Sequence, residues 1–176
     1  MIMNFGHSTT KRLVGLMVFL GLGLVGPASS LTLRVNNVEQ QMSSWCWAAS
    51  SAAVLQYYGY DKSQQDVANY GSGGQNLGNY LHNAPSPLHG VDEIMEYFGG
   101  VNTAWYGDYI PVGDTRHAII DNRRPIFVSW ELTGGGYHAL VLCGIDDSPA
   151  DPLVRLMDPD DGSQYLFIAY HSWVVS

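Results

Sequence analysis

Cys46 stands between Trp45 and Trp47 in the run Gln40-Gln41-Met42-Ser43-Ser44-Trp45-Cys46-Trp47-Ala48-Ala49-Ser50. It is one of only two cysteines in 176 residues. A cysteine becomes a nucleophile when its pKa is lowered, and a helix N-terminus does this with its partial positive charge. The small, alanine-rich stretch from Trp45 to Tyr58 predicts a buried helix, with Ser43 or Ser44 as its cap and Gly59 at its end. That helix would put Cys46 in its first turn.

A thiolate also needs a base, normally a histidine, held in orientation by a third group. Of the six histidines, His7 lies in the leader described below, leaving His82, His89, His117, His138 and His171. His138 is the best placed: it follows a glycine turn and opens the apolar strand Ala139-Leu140-Val141-Leu142. The others fall in polar loops or helical segments, except His171 at the end of the last strand. Asp158 closes the next strand, and a β-hairpin can bring the end of one strand beside the start of the other. Asp160 and Asp161 read as turn residues. Gln40 and Gln41 lie six and five residues before Cys46. A side-chain amide from either can join the Cys46 N–H as an oxyanion hole.

Around these residues the chain reads as α+β, with helices first and an antiparallel sheet after them. Ser63 to Asp66 predicts a capping box that opens a short helix to about Tyr70, followed by a glycine-rich loop over 71–78. Asp92–Phe98 predicts a third helix closed by Gly99 and Gly100, and Asp114 a cap for a fourth running to Asp121. Strands are predicted over 125–130, 137–145, 153–157 and 164–170, joined by turns at 134–136, 146–152 and 159–162.

Residues 1–30 have the three parts of a secretory signal: Lys11 and Arg12, an apolar run from Leu13 to Val25, and small residues before a cut after Ser30. The run is short for a spanning helix, and an uncleaved anchor is the other reading. Residues 31–176 then form one domain, secreted or periplasmic, with no room for a long pro-segment and no stable membrane insertion after cleavage. Sixteen acids against eight bases give a net charge of −8. Cleavage removes two bases and no acid, which argues against nucleic acid or anionic membrane as partners. A monomer is expected.

Other readings of the same residues exist. In an exported chain Cys46 and Cys143 can form one disulfide, which would make a non-catalytic binding protein. Strand alternation opposes this, because it puts Cys143 on the face with Ala139 and Val141, opposite His138. Trp45 and Trp47 are either cleft wall or core. The 71–78 loop is either a cleft wall or plain surface, and it lacks the Lys-Ser/Thr ending of a phosphate loop. A zinc site from Cys46, His138 and Asp158 lacks paired ligand spacing, and the acids of 146–161 lack the spacing of a calcium loop.

Three strings together carry a family resemblance: Gln-x₅-Cys-Trp at a helix start, Gly-Gly-Tyr-His-Ala-Leu-Val-Leu, and Met-Asp-Pro-Asp-Asp-Gly. In this order they resemble the papain-like cysteine peptidases, and most nearly the compact bacterial ones: staphopain-like enzymes, bacteriocin-leader peptidase domains and the protease effectors of plant pathogens. The resemblance runs from Gln40 to about Trp173. It implies a papain-like α+β fold, with Cys46 on a central helix in the N-terminal half. It also implies that Gln40 is the oxyanion glutamine, Cys46 the nucleophile, His138 the base and Asp158 the orienting residue. Papain has asparagine in the last role; aspartate matches the leader peptidases and the effectors. The implied activity is hydrolysis of protein or peptide substrates without cofactor or metal, given a reduced thiol. The same machinery can serve an amidase or acyltransferase.

Overall fold

The computed structural model describes residues 30–101, 103, 104, 110–132, 135–162 and 165–170. Residues 1–29, which include nearly all of the expected signal segment 1–30, lie outside the described residues, as do Gly134 and His171. The elements run β1 (Ser30–Thr32), α1 (Cys46–Tyr57), α2 (Gln64–Ser72), α3 (Val91–Gly99), α4 (Val112–Arg116), a π-helical turn (His117–Asp121), β2 (Ile126–Glu131), β3 (Tyr137–Asp146), β4 (Leu153–Met157) and β5 (Tyr165–Ala169). Apart from β1, which precedes the helices, this is the expected α+β order. No helix among the described residues is long and apolar enough to cross a membrane.

Helix α1 is buried from Trp47 to Leu55, with α2 and α3 on its flanks and β3 beneath it. Its many alanines let these elements approach from every side, so the helix shows no polar face. Its cap differs from the expectation. Trp45 occupies the N-cap and no side chain caps the helix. Ser43 and Ser44 are engaged elsewhere: the Ser43 hydroxyl accepts from the Asn76 amide, and the Ser44 N–H donates to Asn76 Oδ1. The indole N–H groups of Trp45 and Trp47 donate to the carbonyls of Gln75 and Leu77. Both tryptophans are core, at 1% and 3% exposure, and their polar edges tie loop 73–77 to the start of α1.

The capping box at Ser63 and Asp66 forms as expected, but α2 continues past Tyr70 to Ser72 and ends at Gly73 in the left-handed region. Gly71 therefore belongs to the helix rather than to a loop. A Cβ there would lie 2.7 Å from the Trp47 ring, so its glycine is a packing requirement. The fourth helix begins at Val112 behind Pro111, with Asp114 inside its first turn instead of at the cap.

Strand β3 is the middle of the sheet. It pairs antiparallel with β1 and β2 along one edge and with β4 along the other, and β4 then pairs with β5. Strand β1 was not expected from the sequence; three residues carry too little pattern to mark a strand. The β3 backbone bulges against β4 between Leu142 and Gly144. Leu140, Val141, Leu142, Val154, Leu156 and Met157 are fully buried; consecutive strand residues point to opposite faces, so β3 and β4 are covered on both sides here.

Candidate active site

Cys46 is the first residue of α1 and is partly exposed, and its thiol is free. Cys143 is also free and fully buried, so the two form no disulfide. Burial pushes the Cys46 thiol upward. A hydrogen bond with His138, a backbone N–H from Ala139, the charge of His138 and the Trp47 N–H outweigh that push, and the net effect is a lowered pKa. At Cys143 burial dominates and the thiol is pushed up to about 12. Only one of the two thiols is poised to ionise.

His138 is the second residue of β3, opposite Trp130 of β2 in the strand register. The two rings meet edge to face at 6.4 Å between centroids. His138 Nε2 lies 2.7 Å from Asp158 Oδ1. This leaves Nδ1 to face Cys46. The hydrogen bonds to Asp158 and Cys46 raise the His138 pKa against burial, with Asp158 and Asp160 adding their negative charge, to about 10. Asp158 follows β4 directly, as the hairpin argument expects. Burial works against its ionisation, but the bonds from His138 and the Asp160 N–H, with the His138 charge, hold it below the usual carboxylate range. The remaining described histidines are engaged elsewhere: His89 stacks on Tyr70, His117 bonds Asp121 and His82 contacts Asn83.

Gln40 is half-buried and Gln41 is exposed. Gln40 Nε2 donates to the Ser43 carbonyl at 3.3 Å, and its Oε1 is buried without a partner among the described residues. The Gln40 N–H donates to the Pro159 carbonyl at 2.8 Å, which joins this segment to the turn after Asp158.

Three contributors were not singled out from sequence. The buried Ser50 hydroxyl, one helical turn past Cys46, donates to the Ala139 carbonyl at 3.1 Å and fastens α1 to the residue after His138. Asp160 is more than a turn residue: its N–H bonds Asp158 Oδ1, and its carboxylate lies 3.9 Å from His138 Nε2. Gln64 grips the backbone on both sides of Gln40. No local pattern marks such contacts, since the partners are 89 and 23–25 residues away for Ser50 and Gln64. The donors of His138, Asp158 and Asp160 lie within 4.8 Å of one another. A metal ion there would have to break the His138–Asp158 hydrogen bond.

A thiol of lowered pKa, hydrogen-bonded to an imidazole that a carboxylate holds, is an arrangement for nucleophilic attack on a carbonyl followed by protonation of the leaving group. No curated protein and no solved structure matches the chain. A family model described as papain-like cysteine protease AvrRpt2 matches residues 28–173, which include every described residue. The chain therefore belongs to the papain-like cysteine protease AvrRpt2 family and is a cysteine-type peptidase that acts on protein substrates.

Proposed function

We propose that this peptidase cleaves peptide bonds with Cys46 as nucleophile, His138 as acid and base, Asp158 as orienting group and Gln40 as oxyanion donor. The observation that carries the reading is His138, bonded to Asp158 at 2.7 Å and lowering the pKa of the Cys46 thiol. The Cys46 thiolate attacks the scissile carbonyl carbon, and the carbonyl π electrons move to oxygen. The Gln40 amide and the Cys46 N–H stabilise that oxyanion. His138 gives its Nδ1 proton to the leaving amine as the C–N bond breaks, leaving a thioester. Water then attacks the thioester carbon and loses its proton to His138, and the carboxylic acid departs from sulfur. Asp158 keeps Nε2 protonated throughout, so Nδ1 is always the nitrogen that exchanges protons. The half-buried position of Gln40 favours it over exposed Gln41.

Mass spectrometry after treatment with an epoxide thiol inhibitor tests the reading. One adduct is expected, on Cys46, and it should vanish in His138→Ala. Labelling of Cys143, or full proteolysis by Cys46→Ala, would reject it. Products formed with and without an added amine distinguish hydrolysis from acyl transfer. On the basic start and apolar run of the leader we also assign residues 1–30 as an export signal and 31–176 as one catalytic domain, acting in the periplasm or outside the cell. N-terminal sequencing of the exported protein should begin at Leu31; a retained Met1 would remove that assignment.

A further inference from the structure

An oxyanion donor works only when it is held still before the charge appears, within about 0.5 Å of its productive position. The Gln40 side chain has little of its own to hold it. Its Nε2 makes one long bond of 3.3 Å to the Ser43 carbonyl, and its Oε1 is buried without a partner among the described residues. The backbone on either side of it is held much more firmly. Gln64, the first residue of α2, is 4% exposed, and both ends of its amide are used. Its Oε1 accepts from the Gln41 N–H at 2.8 Å and its Nε2 donates to the Glu39 carbonyl at 2.6 Å. One side-chain amide thus brackets the residue between, as a neighbouring strand would. From the other side the Gln40 N–H donates to the Pro159 carbonyl at 2.8 Å, in the turn that follows Asp158.

We propose that Gln64 is a positioning residue for the oxyanion hole: its amide clamps Glu39 and Gln41 so that the intervening Gln40 amide is fixed against the turn bearing Asp158. The inference rests on the assignment of Gln40 as oxyanion donor. Gln64 itself touches neither substrate nor thiol. Its loss should therefore affect steps that build negative charge on oxygen and spare those that do not.

Two reagents separate these steps. A peptide aldehyde adds to Cys46 to give a hemithioacetal whose oxygen sits in the oxyanion hole. Iodoacetamide is displaced at carbon by the thiolate, losing iodide, with no oxyanion formed. In Gln64→Leu, kcat and peptide-aldehyde affinity should each fall about tenfold to a hundredfold, short of the ~10²–10³ typical for losing a donor outright. KM and the pH dependence of iodoacetamide alkylation at Cys46 should stay as in the parent. Gln40→Ala should show the larger loss, and Gln40→Ala combined with Gln64→Leu should be no worse than Gln40→Ala alone. Where Gln64→Leu fails to fold, Gln64→Glu carries the test. It keeps the acceptor for Gln41 but sets a carboxylate oxygen against the Glu39 carbonyl, and the same pattern is expected.

Equal losses toward aldehyde and iodoacetamide would make Gln64 merely structural and overturn the proposal, as would unchanged aldehyde affinity in the folded variant. If Gln40→Ala alone leaves aldehyde affinity unchanged, the oxyanion assignment of Gln40 fails first and the proposal falls with it. The single variants tell these two failures apart.

Discussion

Cys46 and His138 lower and raise one another's pKa, so in the proposed mechanism the reactive form is an ion pair that exists over a window of pH. The thiolate appears as pH rises through a value below that of an ordinary thiol, and the imidazolium is lost as pH rises through about 10. The hydrogen bond to Asp158 is the largest influence on the upper limit, with the charge of Asp160 a smaller one. Asp158→Asn keeps an acceptor for the Nε2 proton but removes the charge. Its alkaline limb in kcat/KM should move down toward the ordinary histidine range near 6.5. Its rate at neutral pH should fall by about 10², the low end of what general acid–base catalysis contributes. Asp160→Asn should move the same limb in the same direction by less. An alkaline limb unchanged in both variants would mean that His138 is not the titrating group. Cys143, pushed up to about 12 by burial, should resist iodoacetamide at pH 8 while Cys46 is consumed, as peptide mapping of the alkylated protein would show.

Helix α1 carries Cys46 and strand β3 carries His138, far apart in the sequence, and Ser50 joins the two elements one turn beyond Cys46. Ser50→Ala leaves the Ala139 carbonyl without its hydroxyl partner in a buried interface. The expected cost is about 1–2 kcal/mol, read as a fall in Tm of a few degrees. A change below about 1 °C would show that the bond is dispensable. At the element scale much was readable in advance. Apolar runs bounded by Pro, Gly and Asp located β2 to β5 within a residue or so, and the Ser63–Asp66 box located the start of α2. The errors share one cause. Glycine disfavours helices, so Gly71 reads as loop in the sequence, but it is required where the Trp47 ring crosses α2. Serine favours a cap, which singles out Ser43 or Ser44 in the sequence, but Asn76 claims the Ser43 hydroxyl and the Ser44 N–H. Tertiary contacts decided both, and local propensity does not contain them. The same holds within the site. Cys46, His138 and Asp158 were marked by their neighbours in sequence, whereas Gln64 looked like the interior of a capping box.

Across the whole molecule, the helical half and the sheet half meet where α1 packs on β3 and again at residues 39–41, where Gly162 closes the seam. Gly162 has φ +58, and a Cβ there would lie 2.3 Å from Glu39 Cβ and 2.8 Å from Glu39 Cα. Gly100, which ends α3, has nearly the same φ, +60, with nothing within 4 Å of an added Cβ. The pair separates backbone strain from contact. Gly100→Ala should cost only the left-handed conformation, about 1–2 kcal/mol, and leave kcat/KM within twofold of the parent. Gly162→Ala meets the same strain and must also push Glu39 away, adding about 1–3 kcal/mol of overpacking. Glu39 cannot retreat without carrying Gln40 off the Pro159 carbonyl, so the displacement reaches the site. Gly162→Ala should therefore show the larger fall in Tm and, unlike Gly100→Ala, a loss of kcat in the protein that remains folded. Equal effects of the two substitutions on both Tm and kcat would mean that the seam does not couple the halves to the chemistry.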